Sequence, residues 1–316
     1  MMIEKVSYAG WPNCYRLTDG KIELIATSDV GPRIVRLGFV GGENVFGGLE
    51  EQFGLVGGEE WRLYGGHRFW HSPEAMPRSY YPDNEQLQVE AEENTLRLIQ
   101  PTESTTGMQK TIEVALAEDH VQVAHTLTNE GLWPVELAPW ALSVMAVRSV
   151  ALIPQPQGDP EALLANRVLM LWPYTDMTDP RVHWGRKFIL LRQDPAIATP
   201  IKLGLSADDG WCACLCGETL FLKCFDYFEE AIYPDNGCTV ESYANDRFVE
   251  LETLGPLVYL EPDDWTMHME HWYLFQDVRC DVADEDDVER VLKPLLEKAG
   301  VTTRREESGG LKGEVG

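Results

Sequence analysis

A chain of 316 residues with 44% hydrophobic content can bury a large core, and 52 acidic against 26 basic residues give it a net charge of −26. A field of that sign repels phosphate backbones and anionic lipid surfaces, so neither nucleic acid nor a membrane is an expected partner. No run approaches the roughly 18 apolar residues of a membrane helix.

The N-terminal MMIEKVSYAGWPNC lacks the basic-then-apolar order of a signal peptide. Short alternating runs follow. CYRLTDGKIELIATS reads as two strands joined at Asp19–Gly20, because an Asp-Gly pair supplies the positive φ of a hairpin turn. GPRIVRLGFVGGENVF continues as a strand bounded by Gly41–Gly42, with Arg33 a basic residue on an otherwise apolar face. Between Phe53 and Asn84 the alternation fails while Gly, Pro and aromatic residues crowd in. This predicts a long functional loop. Its centre, WRLYGGHRFWHSPE from Trp61 to Glu74, mixes Arg62, His67, Arg68, His71 and Glu74 with Trp61, Phe69 and Trp70. Charges are costly to bury and large aromatics costly to expose. A concave pocket, apolar in its walls and polar at a few convergent points, accommodates both. Aromatic faces beside Arg, His and Glu suit a sugar, whose C–H faces stack and whose hydroxyls need donors and acceptors. Tyr81–Pro82–Asp83 closes the segment with a turn signature.

Strands resume with LQVEAEENTLRLIQPTE, TGMQKTIEVALAEDHVQVAHTLTNEG and WPVELAPWALSVMAV, at a sandwich-like spacing. A lone strand histidine such as His125 is read as structural. Residues 153–181 form a second Pro-rich loop. WCACLCG places Cys212, Cys214 and Cys216 on one strand face, as core residues rather than a metal cluster. Seven cysteines, an odd number for a disulfide framework, point to a reducing cytoplasm. In FVELETLGP, Glu250 and Glu252 share the strand face opposite Val249 and Leu251. Desolvation and mutual repulsion would raise such carboxyls towards the range of a general base. His268 and His271 in MHMEHW lie on opposite strand faces, so no metal site is expected there. DEDDVERVLKPLLEKAG reads as a helix with an acidic first turn, interrupted at Pro294. No nucleophile elbow, Walker loop or dinucleotide fingerprint occurs, and no cofactor or metal is expected. The expected organisation is an all-β domain over residues 1–280, a short C-terminal helix within 281–300 and a solvated tail over 301–316.

On these strings the chain resembles the galactose mutarotase-like superfamily. TSDVGPRIVRLGF with Asn44, GGHRFWHSPE, HTLTNEG, APWALSVM, VELETLGP and HMEHWYLF carry the resemblance in order, from Cys14 to Phe275. It implies a β-supersandwich, two large antiparallel sheets with a sugar site on an open concave face. It also implies aldose 1-epimerase chemistry without a cofactor, in which a Glu takes the anomeric hydroxyl proton while a His protonates the ring oxygen. By position the Glu corresponds to Glu252, with Glu250 second. The family's His falls near Pro139 and Trp140, and neither can donate a proton as an acid. His67 is therefore the expected acid. Arg68, Trp70, His71, Glu74, Arg33, Asp83 and Trp140 are expected to bind the substrate. A non-catalytic sugar-binding protein is the second expectation, motivated by Trp140. A lyase or hydrolase using Tyr81 or Tyr233 is the third.

Overall fold

The alternating runs become strands whose register is set by one apolar face, and two such faces meet in the core. The computed structural model describes residues 2–158 and 161–301. Among the described residues the larger sheet has eleven strands. Their spatial order is Met2–Tyr8, Trp11–Thr18, Ile22–Thr27, Arg33–Phe39, His67–Ser72, Val135–Met145, Val249–Leu254, Val240–Ala244, Ile201–Leu205 and Leu169–Leu171, with Val258–Leu260 also on Val135–Met145. The smaller has ten, from Val182–Trp184 at one edge through Trp211–Cys216, Thr219–Phe225, Trp265–Phe275 and Val121–Asn129 to Gln88–Glu92 at the other. Every pairing is antiparallel, as the expected all-β supersandwich requires. Leu24, Ile34, Phe69 and Leu251 of the larger sheet pack on Ile112, Leu127, Cys212, Cys214 and Phe221 of the smaller. All seven cysteines are free thiols.

The sequence expectation of an unbroken loop from Phe53 to Asn84 is corrected here. His67–Ser72 is a strand near the middle of the larger sheet, hydrogen-bonded to Arg33–Phe39 and Val135–Met145. All six of its residues are buried. A strand covered on both faces carries no apolar–polar alternation, and this one has polar groups on each side, so its period is invisible in the sequence. Gly65 and Gly66 lead into it with φ of 133° and 71°. A Cβ on Gly66 would lie 2.2 Å from the Ile34 carbonyl oxygen. Gly66→Ala is therefore expected to lose about 1–3 kcal/mol of stability, measurable as a lowered urea midpoint.

The helix covers Glu285–Lys298, capped by the Asp284 side chain, which accepts from the Asp286 and Asp287 amides. Pro294 sits inside it without ending it. Val288, Leu292 and Leu296 pack on Leu152, Leu190 and Leu222, covering the outer face of the smaller sheet. No helix among the described residues is long and apolar enough to cross a membrane. Of the expected tail, residues 302–316 lie outside the described residues.

Candidate active site

The outer face of the larger sheet is built by register. Arg33, Arg68, Leu142, Glu252, Glu241 and Gly204 lie opposite one another across successive strands, which puts the side chains of the first five on one face. An adjacent row holds Val144, Glu250, Tyr243 and Lys202. Side chains from these rows and from the segment before His67 enclose a hollow of about 340 Å³. Its walls are largely aromatic, from Trp61, Trp70, Tyr80, Trp140, Tyr174 and Tyr243. Another cavity, about 180 Å³, lies beneath the C-terminal helix beside Phe188 and Trp211 and contains none of these groups.

Two cations and four carboxylates are fixed in and behind the hollow. Arg68 Nη1 donates to Glu250 Oε1 at 2.6 Å, and its guanidinium lies 4.7 Å from the centre of the Trp70 ring. Lys202 Nζ is 2.7 Å from Glu241 Oε2, 3.3 Å from Glu252 Oε2 and 3.9 Å from Glu74 Oε2. It also sits over the rings of Trp140 and Trp172, at 4.5 and 4.6 Å. Trp140 Nε1 donates to Glu252 Oε2 at 2.9 Å, and the Tyr80 hydroxyl donates to Glu74. Glu252 Oε1 and Glu241 Oε1 are buried without a protein hydrogen-bond partner.

Burial is the largest influence on the Glu252 carboxyl. It outweighs the attraction of Lys202 and, with repulsion from Glu250, pushes the pKa up to about 7. Burial likewise lifts Glu241 well above the ordinary carboxyl range, against the pull of Lys202. For Lys202 burial acts the other way, but Glu252 and Glu241 together prevail and hold its ammonium above the usual range. The result is a carboxyl that titrates near neutrality beside a buried ammonium. Such a pairing suits proton exchange with a hydroxyl.

Of the residues expected from sequence, Glu252, Glu250, Arg68, Trp70, Glu74 and Trp140 come together around the hollow. His67 and His71 do not. They alternate with Arg68 and Trp70 along the strand, so they point into the space between the sheets. The expectation that His67 faces Glu252 is therefore corrected. Arg33 and Asp83 also fall outside the hollow. They pair at 2.7 Å, and Arg33 Nη1 donates to the Leu63 and Gly65 carbonyls, which anchors the segment entering the His67–Ser72 strand. The sequence reading passed over Lys202 and Glu241. Each is a lone charge in a short and mostly buried strand, IKLGL and VESYA, and that oddity was the available signal.

Behind the sheet, His67 belongs to a buried polar network. Its Nε2 lies 2.6 Å from His125 Nε2, and its Nδ1 is hydrogen-bonded to Ser143 Oγ at 2.8 Å. Glu270 Oε2 is 4.0 Å from both Nε2 atoms. These three side chains could be taken for a metal triad. Their existing bonds argue otherwise. Glu270 Oε1 accepts from Lys223 Nζ at 2.9 Å and from the Thr253 hydroxyl, and Oε2 accepts from Trp272 Nε1 at 2.7 Å. A dication would put further charge beside a buried pair that is already neutral, and burying charge is costly. We read the network as structural.

No family model and no curated protein matches the sequence. Among solved structures the chain is similar to the Slr1438 protein of Synechocystis sp. PCC 6803, with a TM-score of 0.57 and 12% identity over 86% of this chain and 99% of that one. It is similar to a galactose mutarotase-like protein of Lactobacillus casei ATCC 334, with a TM-score of 0.55 and 8% identity over 83% and 100% of the two chains. A galactose mutarotase-like protein of Clostridium acetobutylicum gives 0.53 and 10% over 87% and 99%. At such identities the likeness concerns the fold.

Proposed function

We propose that this chain, which has the galactose mutarotase-like fold, binds a monosaccharide in the hollow at Glu252 and exchanges its anomers. One observation carries the reading. Glu252 is a buried carboxyl with a pKa of about 7 and an unpartnered Oε1, set among aromatic walls. Trp61 Nε1 and Arg68 Nε, also without protein partners, are donors left for sugar hydroxyls.

In this scheme the Glu252 carboxylate takes the proton of the anomeric hydroxyl as the C1–O5 bond breaks. Lys202, which lines the hollow beside Glu252, donates a proton to the ring oxygen and, as the neutral amine, takes it back when the ring closes. Rotation about C1–C2 and closure on the other face reverse both transfers. Lys202 is held above its usual pKa, so it is a weaker acid than an imidazole, and exchange is expected to be slow for such chemistry.

A second reading, sugar binding without catalysis, is favoured by Trp140. Its indole occupies one Glu252 oxygen, and among the described residues no histidine lines the hollow. Anomer-exchange NMR across the common aldoses, together with titration calorimetry, separates the two. Exchange faster than buffer supports the enzyme. Binding without exchange leaves a lectin-like site, and no binding by any aldose overturns both. Trp140→Phe removes a donor to the charged form of Glu252, so the acid limb of the rate profile is expected to move to higher pH.

A further inference from the structure

The charge balance of the hollow bears on which sugar it takes. Glu74, Glu250 and Glu252 line it against Arg68 and Lys202, and Glu241 stands directly behind Lys202. Both cations are already neutralised by carboxylates, Arg68 by Glu250 and Lys202 by Glu241 and Glu252. The unmet demand is for positive charge and donors. Glu252 Oε1 and Glu241 Oε1 are buried acceptors with no protein donor. The walls suit a cation as well, since the hollow's own two cations sit against Trp70 and Trp140.

Building on the sugar-binding reading, we infer that the hollow selects a monosaccharide carrying a protonated amine, of the hexosamine type, over its neutral and phosphorylated counterparts. A phosphate or carboxylate on the ring would add to the excess negative charge and find no unpaired cation. A neutral ring would leave the excess uncompensated. An ammonium would cancel it and donate to the orphaned carboxylate oxygen, a charge-assisted bond stronger than a neutral one. The raised Glu252 and Glu241 carboxyls fit the same picture, because burial, helped by repulsion of Glu252 from Glu250 and of Glu241 from Glu252, outweighs the pull of Lys202 and leaves their charged forms short of positive charge.

The test compares glucose, glucosamine, N-acetylglucosamine and glucose 6-phosphate, with the galactose and mannose series alongside, by titration calorimetry on the full chain at low and physiological salt. In at least one series the free amine is expected to bind about tenfold more tightly than its parent, with the gain lost on N-acetylation and weakened by salt. Glu241→Gln should shrink the preference while the parent sugar still binds, and circular dichroism checks that this variant folds. Equal affinity for parent and amine overturns the charge selection and leaves sugar binding standing. Tighter binding of the phosphate also overturns it. If no sugar of any series binds, the sugar reading itself fails and the selectivity inference falls with it.

Discussion

Glu270→Gln is expected to lower the unfolding free energy by about 3–5 kcal/mol, the cost of leaving a buried charge without its partner. Lys223 is fully buried and, among the described residues, takes its only carboxylate contact from Glu270, at 2.9 Å. Burial is the largest influence and would raise the Glu270 carboxyl, but Lys223 together with His125, His67 and His268 overcomes it and holds the group far below the usual range, which marks an ionised partner. An amide in its place turns one acceptor oxygen into a donor. That donor would face either Lys223 and Thr253 on one side or Trp272 on the other, all of which already donate. Urea unfolding by tryptophan fluorescence and circular dichroism measures the loss. The pair itself is not required for stability, since buried ion pairs exchanged for apolar residues of similar volume often cost little. Lys223→Met with Glu270→Leu should accordingly recover most of the loss. A single variant that loses less than about 1 kcal/mol would show that Lys223 finds another partner or gives up its proton.

The same network explains why parts of the fold could be read in the sequence and others could not. VELETL alternates cleanly, so the shared face of Glu250 and Glu252 was visible, and both line the hollow. HRFWHS alternates too, but between His67, Phe69 and His71 inside and Arg68, Trp70 and Ser72 outside. Both sets mix polar with aromatic residues, so the period carries no contrast and the segment reads as a loop. That misreading permitted His67 and Arg68 to be placed in one pocket, which a strand forbids. Lys202 and Glu241 failed for a different reason. Their meeting with Glu252 depends on cross-strand register between segments 50 and 11 positions away, and register is a non-local property. A lone charge in a short apolar strand signals only that some partner exists.

Glu252→Gln is expected to reduce the rate of anomer exchange by about 10²–10⁴-fold, the usual contribution of a positioned acid–base group. Sugar affinity should change by less than about tenfold, because the aromatic walls and the Arg68–Glu250 pair are untouched. The pH profile gives an independent measure. A base must be ionised, and the Glu252 pKa of about 7 leaves it mostly protonated at pH 6 and mostly ionised at pH 8. The wild-type rate should therefore rise about tenfold over that interval, and the residual rate of Glu252→Gln should not follow. Lys202→Met removes the ammonium 3.3 Å from Glu252 Oε2, the largest influence favouring the carboxylate. Its rate should fall with the acid limb displaced upward, whereas Glu250→Gln, which removes a repelling neighbour, should displace that limb downward. Opposite displacements from two variants in one hollow are the signature of a carboxyl at position 252 titrating between them. A flat profile in all three proteins, with exchange unaffected by Glu252→Gln, would remove Glu252 from the chemistry.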